Sequence, residues 1–250
     1  MKTEMLAAAL CALLAAPAAF AGHEAHWSYS GRTGAEHWAD LDKRFAGCRG
    51  GAAQSPVDLG GVQEKEDGGE AMAFAYRGGA AELVNNGHTI QANLRGAGTA
   101  RIDGAAYQLL QFHFHTPSET TFDGKAYPLA AHLVHRDAEG RLAVVAVLFR
   151  LGEENAALKP VFASLPAHKG EKRKLAALDP AALLPGARGY YAYMGSLTTP
   201  PCSEGVRWRV FRTPLEISAA QLAAFRALYP MNARPAQPLN GREIRSGGTD

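Results

Sequence analysis

Short apolar runs bounded by turn formers fill the middle of the chain. Runs of this length and composition read as strands. Tyr107 to His115 reads as one strand, Leu129 to Arg136 as a second and Leu142 to Arg150 as a third. The last two are joined by Asp137-Ala138-Glu139-Gly140, a hairpin connection rich in turn formers. Glu82 to Gln91 predicts two short extended pieces around the Asn86-Gly87 turn, and Trp208 to Phe211 continues the β character. Helical periodicity is rarer. Ser218 to Tyr229 has Ser218 and Gln221 spaced as a capping box, then Leu222, Phe225 and Leu228 on one side, and Pro230 to stop it. Glu36 to Phe45 and Glu153 to Leu165 are shorter candidates, the second interrupted by Pro160. Gln63 to Glu70 and His168 to Lys174 read as charged surface loops. The pattern predicts a mainly β (α+β) fold, a large and mostly antiparallel sheet with short peripheral helices.

The two ends do not fit that pattern. Lys2 precedes an apolar run from Met5 to Ala16, and Ala19-Phe20-Ala21 has the small-x-small form of a signal peptidase site. The expectation is a signal peptide over residues 1–21, one domain over 22–245 and a flexible tail over 246–250. The run is too short for a stable membrane span, so the mature chain is expected in the periplasm or secreted. Cysteine usage agrees. Cys11 leaves with the leader, and Cys48 and Cys202 remain as an even pair in an exported chain, where a disulfide is expected. A formal charge of +2 in 250 residues is too small to argue for nucleic acid or an anionic membrane as partner. Nothing in the chain separates a monomer from a homodimer.

The chemistry lies on the predicted strands. In Gln111-Phe112-His113-Phe114-His115, the two histidines share a face with Gln111, and the phenylalanines point to the other. His132 is on the next strand, sharing its face with Val134, while His135 points the opposite way and His37 falls in a candidate helix. Three neutral imidazoles and one open position make the ligand pattern of a catalytic zinc site. Histidines packed in a core give the same spacing, and spacing alone leaves both readings open.

Longer motifs add to this. His26-Trp27-Ser28-Tyr29, Gln54-Ser55-Pro56-Val57, Asn85-Asn86-Gly87-His88, Pro117-Ser118-Glu119, Gly195 to Cys202 (GSLTTPPC), Asn232-Ala233-Arg234-Pro235 and Gln237-Pro238-Leu239-Asn240 flank the histidine runs in order. With them the chain resembles an α-class carbonic anhydrase of the bacterial exported type. The resemblance implies a twisted sheet of about ten strands and one Zn2+ per chain, held by His113, His115 and His132. It implies hydration of carbon dioxide to bicarbonate by a zinc-bound hydroxide. Thr198 would orient that hydroxide and Glu119 would orient Thr198. Val134, Val144, Leu197, Thr199 and Trp208 would form the substrate pocket, His88 would shuttle protons, and Tyr29, Asn86, Gln91 and Gln111 would line the cavity. Asn232 and Arg234 would tie the C-terminal segment to the cavity floor. Anions and sulfonamides are the implied inhibitors. An esterase side activity and a non-catalytic binding module of the same fold are the alternatives. One position departs from the family pattern. The Glu usually found two residues before the third ligand is Ala130 here; either a water or another polar group takes the free ring N–H of His132, with weaker zinc retention, or Ala130 is an engineered or erroneous change.

Overall fold

The computed structural model describes residues 25–66 and 72–249. The predicted leader over 1–21 lies outside the described residues. Among the described residues, thirteen strands form one mixed sheet. Its main path runs through Glu64–Glu66, Ile244–Gly247, Tyr190–Ser196, Glu204–Phe211, Leu142–Leu151, Leu129–Arg136, Ala105–His115, Ile90–Leu94, Gly79–Asn85 and Lys172–Leu178. Most neighbours are antiparallel, but Leu142–Leu151 runs parallel to both Glu204–Phe211 and Leu215–Ile217, and Glu64–Glu66 runs parallel to Ile244–Gly247.

The alternation in the sequence sorts side chains between two buried faces. Along Leu142–Leu151, Val145, Val147 and Phe149 join Phe112, Phe114, Leu133 and the helix residues Leu222 and Phe225 in the larger core. Val144, Ala146 and Leu148 point the other way and pack with Val57, Val134, Tyr193 and Trp208. Both faces of the central strands are therefore dry, and their sequences read as nearly continuous apolar runs. The helix Ala219–Arg226 packs on the larger core, with Ser218 capping it through the reciprocal bonds of a capping box.

Several expectations change. His168 to Lys174 is not all loop, since Lys172–Leu178 is an edge strand paired with Gly79–Asn85. Only Leu175 and Leu178 of it are buried, so no alternation marks it, and its lysines guard an edge that would otherwise recruit another strand. Glu64–Glu66, placed in a loop by its charge, also pairs. So does the start of the tail expected to be flexible: Ser246 pairs with Glu66 and Tyr191, and Gly247 with Tyr190. Glu36 to Phe45 is a series of short turns, broken where Asp42 adopts an extended backbone and caps Arg44. Glu153 to Leu165 keeps only Lys159–Phe162 as α-helix, after a turn in which Asn155 accepts from Leu158.

A third cluster closes one side of the domain. Trp38, Phe45, Cys48 and Cys202 pack with Trp27 and Tyr29, and Cys48 is disulfide-bonded to Cys202. The bond spans 154 residues. A crosslink over such a loop removes much unfolded-chain entropy, about 5 kcal/mol in the chain-entropy account. Replacing both cysteines by alanine is expected to lower the unfolding free energy by about that amount in urea titration. A loss smaller than about 1 kcal/mol would show that the crosslink acts on the native state rather than the unfolded chain.

Candidate metal centre

The site is built on two adjacent strands. In the antiparallel register of Ala105–His115 with Leu129–Arg136, His113 stands directly opposite His132, and His115 follows His113 on the same face. The ring centroids of the three are 5.0, 5.5 and 4.6 Å apart. One nitrogen from each lies within 4.8 Å of the others, close enough for a single ion. His115 and His132 are sealed at 1% and 2% exposure, while His113 is half-buried and faces the opening. Burial pushes the imidazoles of His113 and His132 well below the ordinary histidine range, so both are neutral and have a lone pair to give.

The remaining ring nitrogens identify the tautomers. His115 Nδ1 lies 2.7 Å from the carbonyl oxygen of Asn232, which can only accept. The proton is therefore on Nδ1, and Nε2 presents a lone pair that is buried and has no protein partner. That is what a metal ligand requires. His113 Nδ1 pairs with Gln111 Oε1 at 2.9 Å, which gives Gln111 a role in fixing the ring. The residues therefore fit a divalent cation, and a site of three neutral histidines is consistent with zinc.

Glu119 lies behind the triad at 1% exposure. Its Oε1 accepts from the Arg234 backbone N–H at 2.9 Å. Burial raises its carboxyl, opposed by His115, by the Arg234 N–H and by the Thr198 hydroxyl. Thr198 is thus next to Glu119, although Oε2 has no partner at full hydrogen-bond distance. Val134, Val144, Trp208 and the half-buried Leu197 form one apolar patch, and the Trp208 ring meets His132 edge-on at 4.9 Å. Thr199 is half-buried in the turn after Thr198, where its carbonyl accepts from Cys202 N.

His88 is half-buried and stacks on Trp27, with centroids 3.6 Å apart and planes 4° from parallel. Tyr29 packs against the same Trp27, and burial and the charge of Glu119 raise its phenol. Asn86 caps the turn by accepting from His88 N and Thr89 N, and its amide reaches Gln91 at 3.5 Å. His135 lies on the far face of its strand, bonded to the Tyr76 hydroxyl, and His37 is in an exposed turn. Asn232 does more than tie down the C-terminal segment. It fixes His115 through its carbonyl, accepts from Thr116 N and donates to the His88 and Phe114 carbonyls. The Asn232-Ala233-Arg234 motif was the signal for it. Its contact with a ligand was not legible, because more than a hundred residues separate the two.

Three imidazoles carried by a rigid sheet, with a buried carboxylate behind and an apolar wall beside, define a mononuclear metalloenzyme site. Residues 33–247 match the eukaryotic-type carbonic anhydrase family. A carbonic anhydrase of Klebsiella pneumoniae is 44% identical over 98% of this chain and 99% of its own. The α-carbonic anhydrase of Thermovibrio ammonificans, solved with sulfanilamide, is 47% identical and superposes with a TM-score of 0.86 over 89% of this chain and 99% of that one. Dioscorin, solved with ascorbate, shares the fold at 32% identity, with a TM-score of 0.83 over 90% of this chain and 99% of its own. The chain belongs to the α-carbonic anhydrase family.

His115→Ala removes the most enclosed of the three imidazoles and the one held by the Asn232 carbonyl. The expected result is loss of bound divalent metal, read by elemental analysis of the purified chain, with the β-sheet circular dichroism retained. Metal held at the wild-type ratio would place the ion elsewhere.

Proposed function

We propose that this chain hydrates carbon dioxide reversibly to bicarbonate and a proton at the His113, His115 and His132 site. The observation that carries the reading is the convergence of three neutral, sheet-borne imidazoles with Glu119 and Thr198 alongside. Zinc held there supplies the Lewis acidity that makes hydroxide available near neutral pH.

The chain's own residues do the rest. Ionised Glu119 can only accept, so it takes the Thr198 hydroxyl proton and leaves the Thr198 oxygen as an acceptor facing the triad. Thr198 then selects for oxygen species that can donate to it and holds their lone pairs toward the substrate. Carbon dioxide has no donor to satisfy, so Val134, Val144, Leu197 and Trp208 can position it without stranding a polar group. Thr199, at the same rim, contributes to the pocket. Tyr29, Asn86, Gln91 and Gln111 supply the polar lining through which water can carry a proton outward.

His88 accepts that proton. In the stacked position burial, Lys169 and His26 together lower its imidazole to about 4. Stacked on Trp27, the ring is therefore neutral at physiological pH. It takes a proton only on leaving the indole for water, where histidine titrates near 6.5. The stack favours discharge, and the unstacked ring favours loading.

The same site explains the inhibitor class. The Thermovibrio ammonificans relative was solved with sulfanilamide, and we assign sulfonamides and small anions to the triad here. Activated esters are secondary substrates. A purely binding role, to which the dioscorin likeness lends some weight, is disfavoured because all three imidazoles are in place. No helix among the described residues is long and apolar enough to cross a membrane. The Cys48–Cys202 bond and the apolar N-terminal run of the sequence favour an exported protein, periplasmic or secreted.

Stopped-flow hydration of carbon dioxide is expected to be fast in the zinc-loaded chain and lost on chelation, and a chelator-insensitive rate would refute the assignment. His88→Ala is expected to slow turnover by roughly 10-fold or more in weak buffer, with added imidazole restoring it. Equal loss at all buffer strengths would remove His88 from proton transfer. Trp27→Ala relieves the burial of the ring, so the His88 titration followed by NMR should move upward toward 6.5. A titration that stays near 4 would assign the shift to charge rather than to the stack.

A further inference from the structure

Each ligand imidazole gives one nitrogen to the metal and must place the other. His113 and His115 place theirs on Gln111 Oε1 and the Asn232 carbonyl. His132 has no such partner. Its Nδ1 is 3.8 Å from Glu119 Oε2, past hydrogen-bond reach. Its Nε2 is sealed from solvent with no protein partner, so whichever ring nitrogen binds the metal, the other is left without a protein acceptor. The neighbour on the same face of its strand is Ala130, at 1% exposure, whose methyl group can accept nothing.

Two more enclosed polar atoms share this condition. Thr120 Oγ1 and Tyr193 Oη are buried without a protein partner at hydrogen-bond distance. Thr120 is next to Glu119 in the chain. Tyr193 feels the Glu119 charge and the nearby Ser55 hydroxyl, and its ring stacks on Trp208, the same ring that His132 meets edge-on. Ala130, Tyr193 and Trp208 belong to one buried cluster. Buried polar groups without partners are rare, and a water that joins two to four of them is the usual resolution.

We infer that a buried water over Ala130 accepts the outer N–H of His132, and that His132 is therefore the ligand at which the metal is released. The inference rests on the zinc reading of the site. A side chain held by its own backbone and locked by packing orients a ligand more firmly than an exchangeable water can. Partners of this kind change metal affinity by about 10–100-fold. Ala130 thus acts as a positioning residue through what it fails to supply.

The test is the rate of zinc release from the loaded protein into excess chelator. Ala130→Glu puts a fixed acceptor beside His132 and should slow release by about 10-fold or more. Ala130→Leu fills the same space, excludes water and offers no acceptor, so release should be faster than wild type. A high-resolution crystal structure of the zinc-loaded wild type should show an ordered water within about 3 Å of the His132 ring nitrogen that does not bind zinc. The inference is overturned if both variants shift release in the same direction, if neither shifts it, or if no ordered guest is found. Should Ala130→Glu fail to fold, the leucine variant and the crystal density decide the matter alone. A wild-type chain that takes up no zinc sinks the function and this inference together. Zinc uptake with a flat release series sinks the inference and leaves the function standing.

Discussion

The site depends on the register of two strands. His113 faces His132 across the ladder, and the pleat then puts His115 on the same side. A slip of one residue would present Phe112, Phe114 and Leu133 to the cavity and send the imidazoles into the larger core. That slip is forbidden by the same residues, because Phe112, Phe114 and Leu133 are completely buried in a core that imidazoles could not fill without stranding polar atoms. Packing on one face of the sheet therefore determines chemistry on the other. The interior strands have both faces covered, so neither can relax toward solvent.

A second layer of polar bonds holds the site from outside the sheet, and most of it comes from the C-terminal segment. Asn232 fixes His115 and the His88 turn. Arg234 donates its backbone N–H to Glu119, and its guanidinium reaches Gln54 Oε1 and the carbonyls of Ser55 and Cys48. Burial lowers the Arg234 guanidinium to about 10, which still leaves it charged at neutral pH. Three of its side-chain N–H groups meet acceptors, so the desolvated charge is hydrogen-bonded rather than stranded. Two sequence-distant regions thus meet at a carboxylate that touches no solvent.

The sequence was most legible where one local rule decides the outcome. Leu129–Arg136 is legible end to end because an apolar run, the turn formers after Arg136 and burial agree there. The ligand faces follow from the period of two, while the remaining roles are only implied by runs such as GSLTTPPC. The edge strand Lys172–Leu178 and the final strand Ile244–Gly247 were missed because their identity comes from a partner strand rather than from their own composition. The two short helices were overextended because Asp42 and Asn155 cap locally and stop propagation. The stack of His88 on Trp27 is a contact between distant segments that no local pattern encodes.

The position of Cys202 ties the disulfide to the turn that follows Thr198. It comes four residues after Thr198, in the turn where its own N–H bonds to the Thr199 carbonyl, and its sulfur fastens that turn to Cys48. The clasp is thus on the segment that carries Thr198 beside Glu119. With that bond open, the ladder of His113 against His132 would stand as before, while the turn carrying Thr198 would lose its covalent tie to the Trp38 cluster.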